Sequence, residues 1–116
     1  MPPASDLLRL SDSLWLWQMY DPTVKSDLFS TAIKTDARLF LIDPIPLTTP
    51  CLEEMAVPIG TTSVLVTNLN HPRAAAAFAR QFEAPIFAAA SVVALVLGSS
   101  TLAGAAGVCS FCPETL

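Results

Sequence analysis

Histidine occurs once in this chain and cysteine three times. A zinc centre needs three or four converging histidine, cysteine or carboxylate ligands. His71, Asp43 and a nearby pair of asparagines do not make such a set, because asparagine is a poor zinc ligand. Basic residues are also few: six Lys and Arg against ten Asp and Glu give a net charge of −4 and a pI near 4.6. None are clustered, so no nucleic-acid footprint is read. Cys51, Cys109 and Cys112 lack regular spacing and make no disulfide framework, so a reducing cytosol is the expected compartment. The first ten residues include Asp6 and no apolar run of signal-peptide length, so no secretory signal is read. There is no Ser-His-Asp arrangement, no phosphate loop and no pair of carboxylates placed for acid–base work. What is abundant is apolar: 53% of 116 residues, enough for one domain with one core and too much for a disordered chain.

Residues 64–80 organise the rest. An apolar strand, Val64-Leu65-Val66, runs into a polar turn over 67–71, and the pattern predicts a helix starting at Pro72. Proline suits the first helical position, and Asn70 or His71 can cap it. Ala74, Ala77, Phe78 and Phe82 fall at helical spacing. Asn68, Asn70 and His71 are thereby carried to the C-terminal end of a strand, where open α/β sheets place ligand sites.

Upstream, residues 1–11 are rich in proline and polar residues and read as an N-terminal arm. Residues 13–19 read as a strand apolar on both faces, with Trp15 and Trp17 sharing one of them as core residues. Residues 28–35 alternate Phe29, Thr31 and Ile33 against Ser30, Ala32 and Lys34, the period of a half-buried strand. A turn at 35–37 leads to an antiparallel partner over 39–42. Asp43 ends that strand and Pro44 stops it; a carboxylate there can ligate metal, orient a ligand or bond loop N–H groups. Thr49 is positioned to cap a short helix over 50–56. Residues 84–88 are a loop into a further strand. The order β-ββ-α-β-α-β argues for a layered α/β (α+β) domain.

Two stretches carry a resemblance to a family. Thr67-Asn68-Leu69-Asn70-His71-Pro72-Arg73 resembles a strand ending in Thr-His-x-His-x-Asp-His before a helix, the first metal motif of the metallo-β-lactamase-fold superfamily. That superfamily includes hydroxyacylglutathione hydrolases and ribonuclease Z. Thr67 matches. Asn68 and Asn70 stand for the first two histidines, Pro72 for the aspartate and Arg73 for the last histidine. Leu41-Ile42-Asp43-Pro44 is similar to the family's strand ending in Ile-Asp-Pro, where the aspartate supports the metal site from behind. The resemblance covers residues 12–88. It implies the N-terminal half of an αββα sandwich. It also implies a family expectation of zinc that these residues do not support, and hence a domain without a metal site and without catalysis.

Residues 89–116 form an apolar tail with no charge before Glu114. Three readings stand for it: a transmembrane helix, a buried helix plus loop, or a stretch out of its ancestral frame. A span over 88–108 would cover 21 residues and about 31 Å, but alanine and glycine dominate it and no aromatic belt flanks it. Cys109-Ser-Phe-Cys112 has redox-pair or half-zinc-site spacing, yet no second pair. Cys51, near a helix start, lacks a visible base and reads as a packed residue. Four functional readings follow: an inactive metallo-β-lactamase-like domain; a module that dimerises or binds a partner through its apolar sheet face; a membrane-associated protein anchored through 88–108; and a residual hydrolase drawing ligands from a partner chain. Asn68, Asn70, His71 and Asp43 are the candidate pocket residues.

Overall fold

Side chains of β2 (Leu14–Asp21) alternate across a sheet and define both faces of the molecule. Trp15 and Trp17 point to one face and are 5% and 1% exposed. On the other, Leu14 and Leu16 are half-buried and Gln18 and Tyr20 exposed, so only one face of this strand is fully covered. The computed structural model describes residues 2–67, 73–89 and 108–111, the last four by their backbone.

β2 pairs antiparallel with β1 (Leu7–Ser11) and with β3 (Ser26–Lys34). The expected N-terminal arm is therefore part of the sheet. Leu7 and Leu8 lie opposite Trp17 and Leu16, which gives this segment apolar neighbours. Ala4 is tied in as well: its N–H donates to the Pro46 carbonyl at 2.8 Å, and its carbonyl accepts from Thr48 N–H at 3.0 Å.

In β3 the two-residue period holds with its small side chains inward. Ser30 and Ala32 are 1% and 0% exposed, whereas Phe29 and Ile33 are 51% and 38% exposed. Ala32 pairs with Trp15 and Ser30 with Trp17; beside two indoles, close packing favours small partners. A turn closed by Thr35 N–H on the Arg38 carbonyl, at 2.8 Å, leads into β4 (Leu39–Ile42), antiparallel to β3.

From β4 the sheet becomes parallel, continuing through β5 (Thr62–Val66), β6 (Ile86–Ala89) and β7 (Val108–Phe111) in chain order. Parallel neighbours need crossovers; α1 (Thr49–Met55) supplies the one from β4 to β5 and α2 (Ala75–Phe82) the one from β5 to β6. Thr48, rather than Thr49, is the N-cap of α1, and Pro50 lies in its first turn. Cys51 and Met55 of α1, with Ala75, Phe78, Ala79 and Phe82 of α2, share one buried cluster with the tryptophans, Leu41, Val64, Val66 and Ile86. Fully burying a side chain the size of Leu41, Val64 or Ile86 contributes about 1.5–3 kcal/mol. In the stripe of α2, Phe78 and Phe82 are buried as expected and Ala74 packs against the core, but Ala77 is exposed and Ala75 and Ala79 are buried.

Both helices thus cover the tryptophan face. No described helix covers the other, where Leu8, Phe29 and Ile33 are exposed and Leu16, Ile42 and Leu65 half-buried. The architecture is the expected layered α/β arrangement with one strand added at each end. Within 89–116, Ala89 closes β6 and 108–111 form β7; the rest, including Cys112, lies outside the described residues. No described helix is long and apolar enough to cross a membrane.

Candidate functional site

β4 and β5 are parallel, so their C-terminal ends lie side by side. The Asp43 N–H continues the ladder by donating to the Leu65 carbonyl at 2.8 Å. Asp43 then turns the chain out of the sheet with φ +49°, a left-handed conformation that aspartate tolerates better than most residues. Its carboxylate, on a residue only 7% exposed, meets the first residue after β5. Oδ1 accepts from the Thr67 N–H at 2.8 Å and Oδ2 from the Thr67 hydroxyl at 2.6 Å. Aspartate and threonine thus lock two strand ends together by charge-assisted bonds.

Below this lock the backbone is pinned from β3 and β2. Ser30 Oγ donates to the Asp43 carbonyl at 2.7 Å and accepts from the Ile45 N–H at 2.9 Å. Trp17 Nε1 donates to the Ile45 carbonyl at 2.9 Å. All these groups are buried, where an unmade hydrogen bond is costly.

Arg73 closes the site from the far side. Its Nη1 donates to the Asp43 carbonyl at 2.8 Å and to the Phe29 carbonyl at 2.6 Å. Burial pulls its guanidinium below the usual arginine range, and the nearby Asp43 charge pulls it partly back. Arg73 has φ +40° and α2 begins only at Ala75, after the N-cap Ala74. The helix therefore does not continue from Pro72 through Arg73 as expected, because Arg73 leaves the right-handed region to reach the two carbonyls. Arg73 and Arg80 consequently share no helix face. The Ala74 N–H donates to the Pro44 carbonyl at 3.1 Å, fixing the start of α2 beside the end of β4.

Of the four candidate pocket residues, Asp43 is placed in this network; Asn68, Asn70 and His71 lie outside the described residues. Ser30 was missed. The available signal was a polar residue in the small, Trp-facing register of β3. Cys51 is buried and its thiol donates to the Ser5 carbonyl at 3.4 Å, as a packed residue would. Two cavities formed by described residues lie elsewhere. One of about 320 Å³, between Lys34, Arg38 and Met55, sits at the opposite end of β4. Another of about 380 Å³ lies between Leu52 of α1 and Phe82 of α2.

With this geometry the chain has the fold of the N-terminal half of a metallo-β-lactamase domain. It is similar to two crystal structures of DIM-1 metallo-β-lactamase. The one exposed to ceftazidime has a TM-score of 0.63 at 10% identity, with 95% of this chain covering 53% of that one. The other has a TM-score of 0.59 at 12% identity, with 95% of this chain covering 52%. The chain therefore spans about half the length of the lactamase chains it matches. No family profile and no curated protein sequence matches it. At such identity the likeness concerns the fold and not the activity.

The fold family implies a metal, and the donor set among the described residues does not fit one. Both Asp43 oxygens are engaged by Thr67, and a guanidinium bonds the carbonyl of the same aspartate. Among the described residues no three His, Cys, Asp or Glu side chains are grouped to hold an ion.

Proposed function

We propose that the chain is a metallo-β-lactamase-fold domain that works without the fold's metal chemistry, and that its role is non-enzymatic. The observation that carries this reading is the state of Asp43. The aspartate at the strand end is spent on closing the β4 and β5 termini through Thr67, and Arg73 brings a positive charge to its other side. In the family, metal-bound hydroxide attacks a carbonyl or phosphorus centre; among the described residues no three His, Cys, Asp or Glu side chains are grouped as a ligand set for such an ion. The free, buried Cys51 fits a reducing cytosol. Metal analysis of protein purified without added ions tests the reading. Substoichiometric zinc, iron and manganese are expected; one equivalent of any of them per chain would refute it.

A second reading rests on the sheet face that no described helix covers. Leu8, Phe29 and Ile33 are exposed there, and exposed apolar patches mark interaction sites. On this reading the domain dimerises or holds a protein partner through that face. Native mass measured over a concentration series tests it: a rise to twice the chain mass supports dimerisation, and an invariant monomer counts against it.

A further inference from the structure

We propose that Arg73 is the resident cation of the strand-end site: its guanidinium, rather than a divalent metal, ties the middle of β3 and the end of β4 to the turn that starts α2. The inference rests on the metal-free reading above and assigns the residue that replaces the ion.

Three observations carry it. First, one nitrogen bridges two carbonyls from different strands, Phe29 at 2.6 Å and Asp43 at 2.8 Å. Two converging carbonyl oxygens beside a carboxylate form a partly negative recess that calls for a positive charge. The Asp43 carbonyl also takes the Ser30 hydroxyl, so both of its lone pairs are used. Second, the backbone bends to make the contact. Arg73 adopts φ +40°, a conformation unfavourable for a long side chain, and one that persists only where surrounding interactions over-determine it. Third, the side chain is pressed in deeply enough to leave its Nε buried and without a hydrogen-bond partner among the described residues. A guanidinium held only by surface attraction would keep that N–H in water. A divalent ion placed here would face the guanidinium as a like charge.

The test is thermal unfolding of the full chain and of R73M and R73K, each with and without EDTA and with added zinc, alongside metal analysis. R73M keeps the apolar stem and removes the charge. R73K keeps the charge but replaces the fork by a point charge. We expect Tm to fall by roughly 8–15 °C in R73M, by less in R73K, and to be indifferent to EDTA and zinc in the wild type. If no metal is bound and R73M unfolds at the wild-type temperature, the Arg73 assignment fails while the metal-free reading survives. If metal is bound and EDTA lowers the wild-type Tm, the metal-free reading fails and takes the assignment with it. Should R73M not fold, ¹⁵N spectra of the arginine side chains in the wild type decide. Guanidinium protons of one arginine protected from exchange, and lost in R73K, support the tie; guanidinium groups all rotating and exchanging freely overturn it.

Discussion

Thr67 is the one motif residue that matches the family pattern, and its hydroxyl bond to Asp43 gives a threonine a structural role there. Thr67→Val keeps the shape and removes the hydroxyl, and with it the 2.6 Å bond to Asp43 Oδ2. A loss of about 1–3 kcal/mol is expected, read from the urea midpoint at unchanged slope. The two tryptophans give a sharper contrast. Trp17 Nε1 bonds the Ile45 carbonyl at 2.9 Å, whereas Trp15 Nε1 is buried with no partner among the described residues. Trp17→Phe therefore strands a carbonyl as well as removing volume, and Trp15→Phe removes an unsatisfied donor. The first should cost about 2–4 kcal/mol and the second about half that or less; equal losses would contradict the hydrogen-bond assignment. At this scale the sequence carried Asp43 well, because an aspartate followed by proline at a strand end announces a turn. It carried Ser30 and Arg73 poorly. Their partners are main-chain carbonyls 13 to 44 residues away, and no local pattern encodes such a distance.

Among the elements, β2, β3, β4, β5 and α1 follow from apolar periodicity and proline placement. The start of α2 does not, because Arg73 lies outside the right-handed region and the helix begins only at Ala75. β1 does not either. The prolines and polar residues of 1–11 suggest an arm, but Leu7 and Leu8 find Trp17 and Leu16 across the strand pair, a contact visible only once the sheet exists. This difference is testable. Removing residues 1–11 deletes β1 and the Ala4 bridge to Leu47. The sheet then loses an edge strand, and Tm should drop by roughly 10 °C or more. A free arm would leave Tm unchanged.

The described residues form one sheet with helices on one side. In an αββα sandwich the corresponding side of the sheet meets a second sheet. Phe29 and Ile33 point away from the helices, whereas Ser30 and Ala32 point toward the tryptophans and Leu28 packs against the core. Replacing both outward residues with glutamate should abolish any concentration-dependent association while leaving Tm of the dilute protein within a few degrees. A large fall in Tm would instead mean that this face is covered within the chain. The layered class was readable from the alternation of strand and helix patterns. The half-sandwich came from the resemblance, on Thr67 and Ile42-Asp43-Pro44. The strand in the described part of the tail had no sequence signal, since small apolar residues fit helix and strand alike.

The central claim is that a guanidinium and an aspartate–threonine lock stand where this fold elsewhere builds a metal centre. Elemental analysis of the purified full chain, after equilibration with equimolar zinc and gel filtration, tests it most directly. Zinc well below one equivalent per chain, with an unchanged Tm, is the predicted result. One firmly retained equivalent, lost together with stability on chelation, would contradict it.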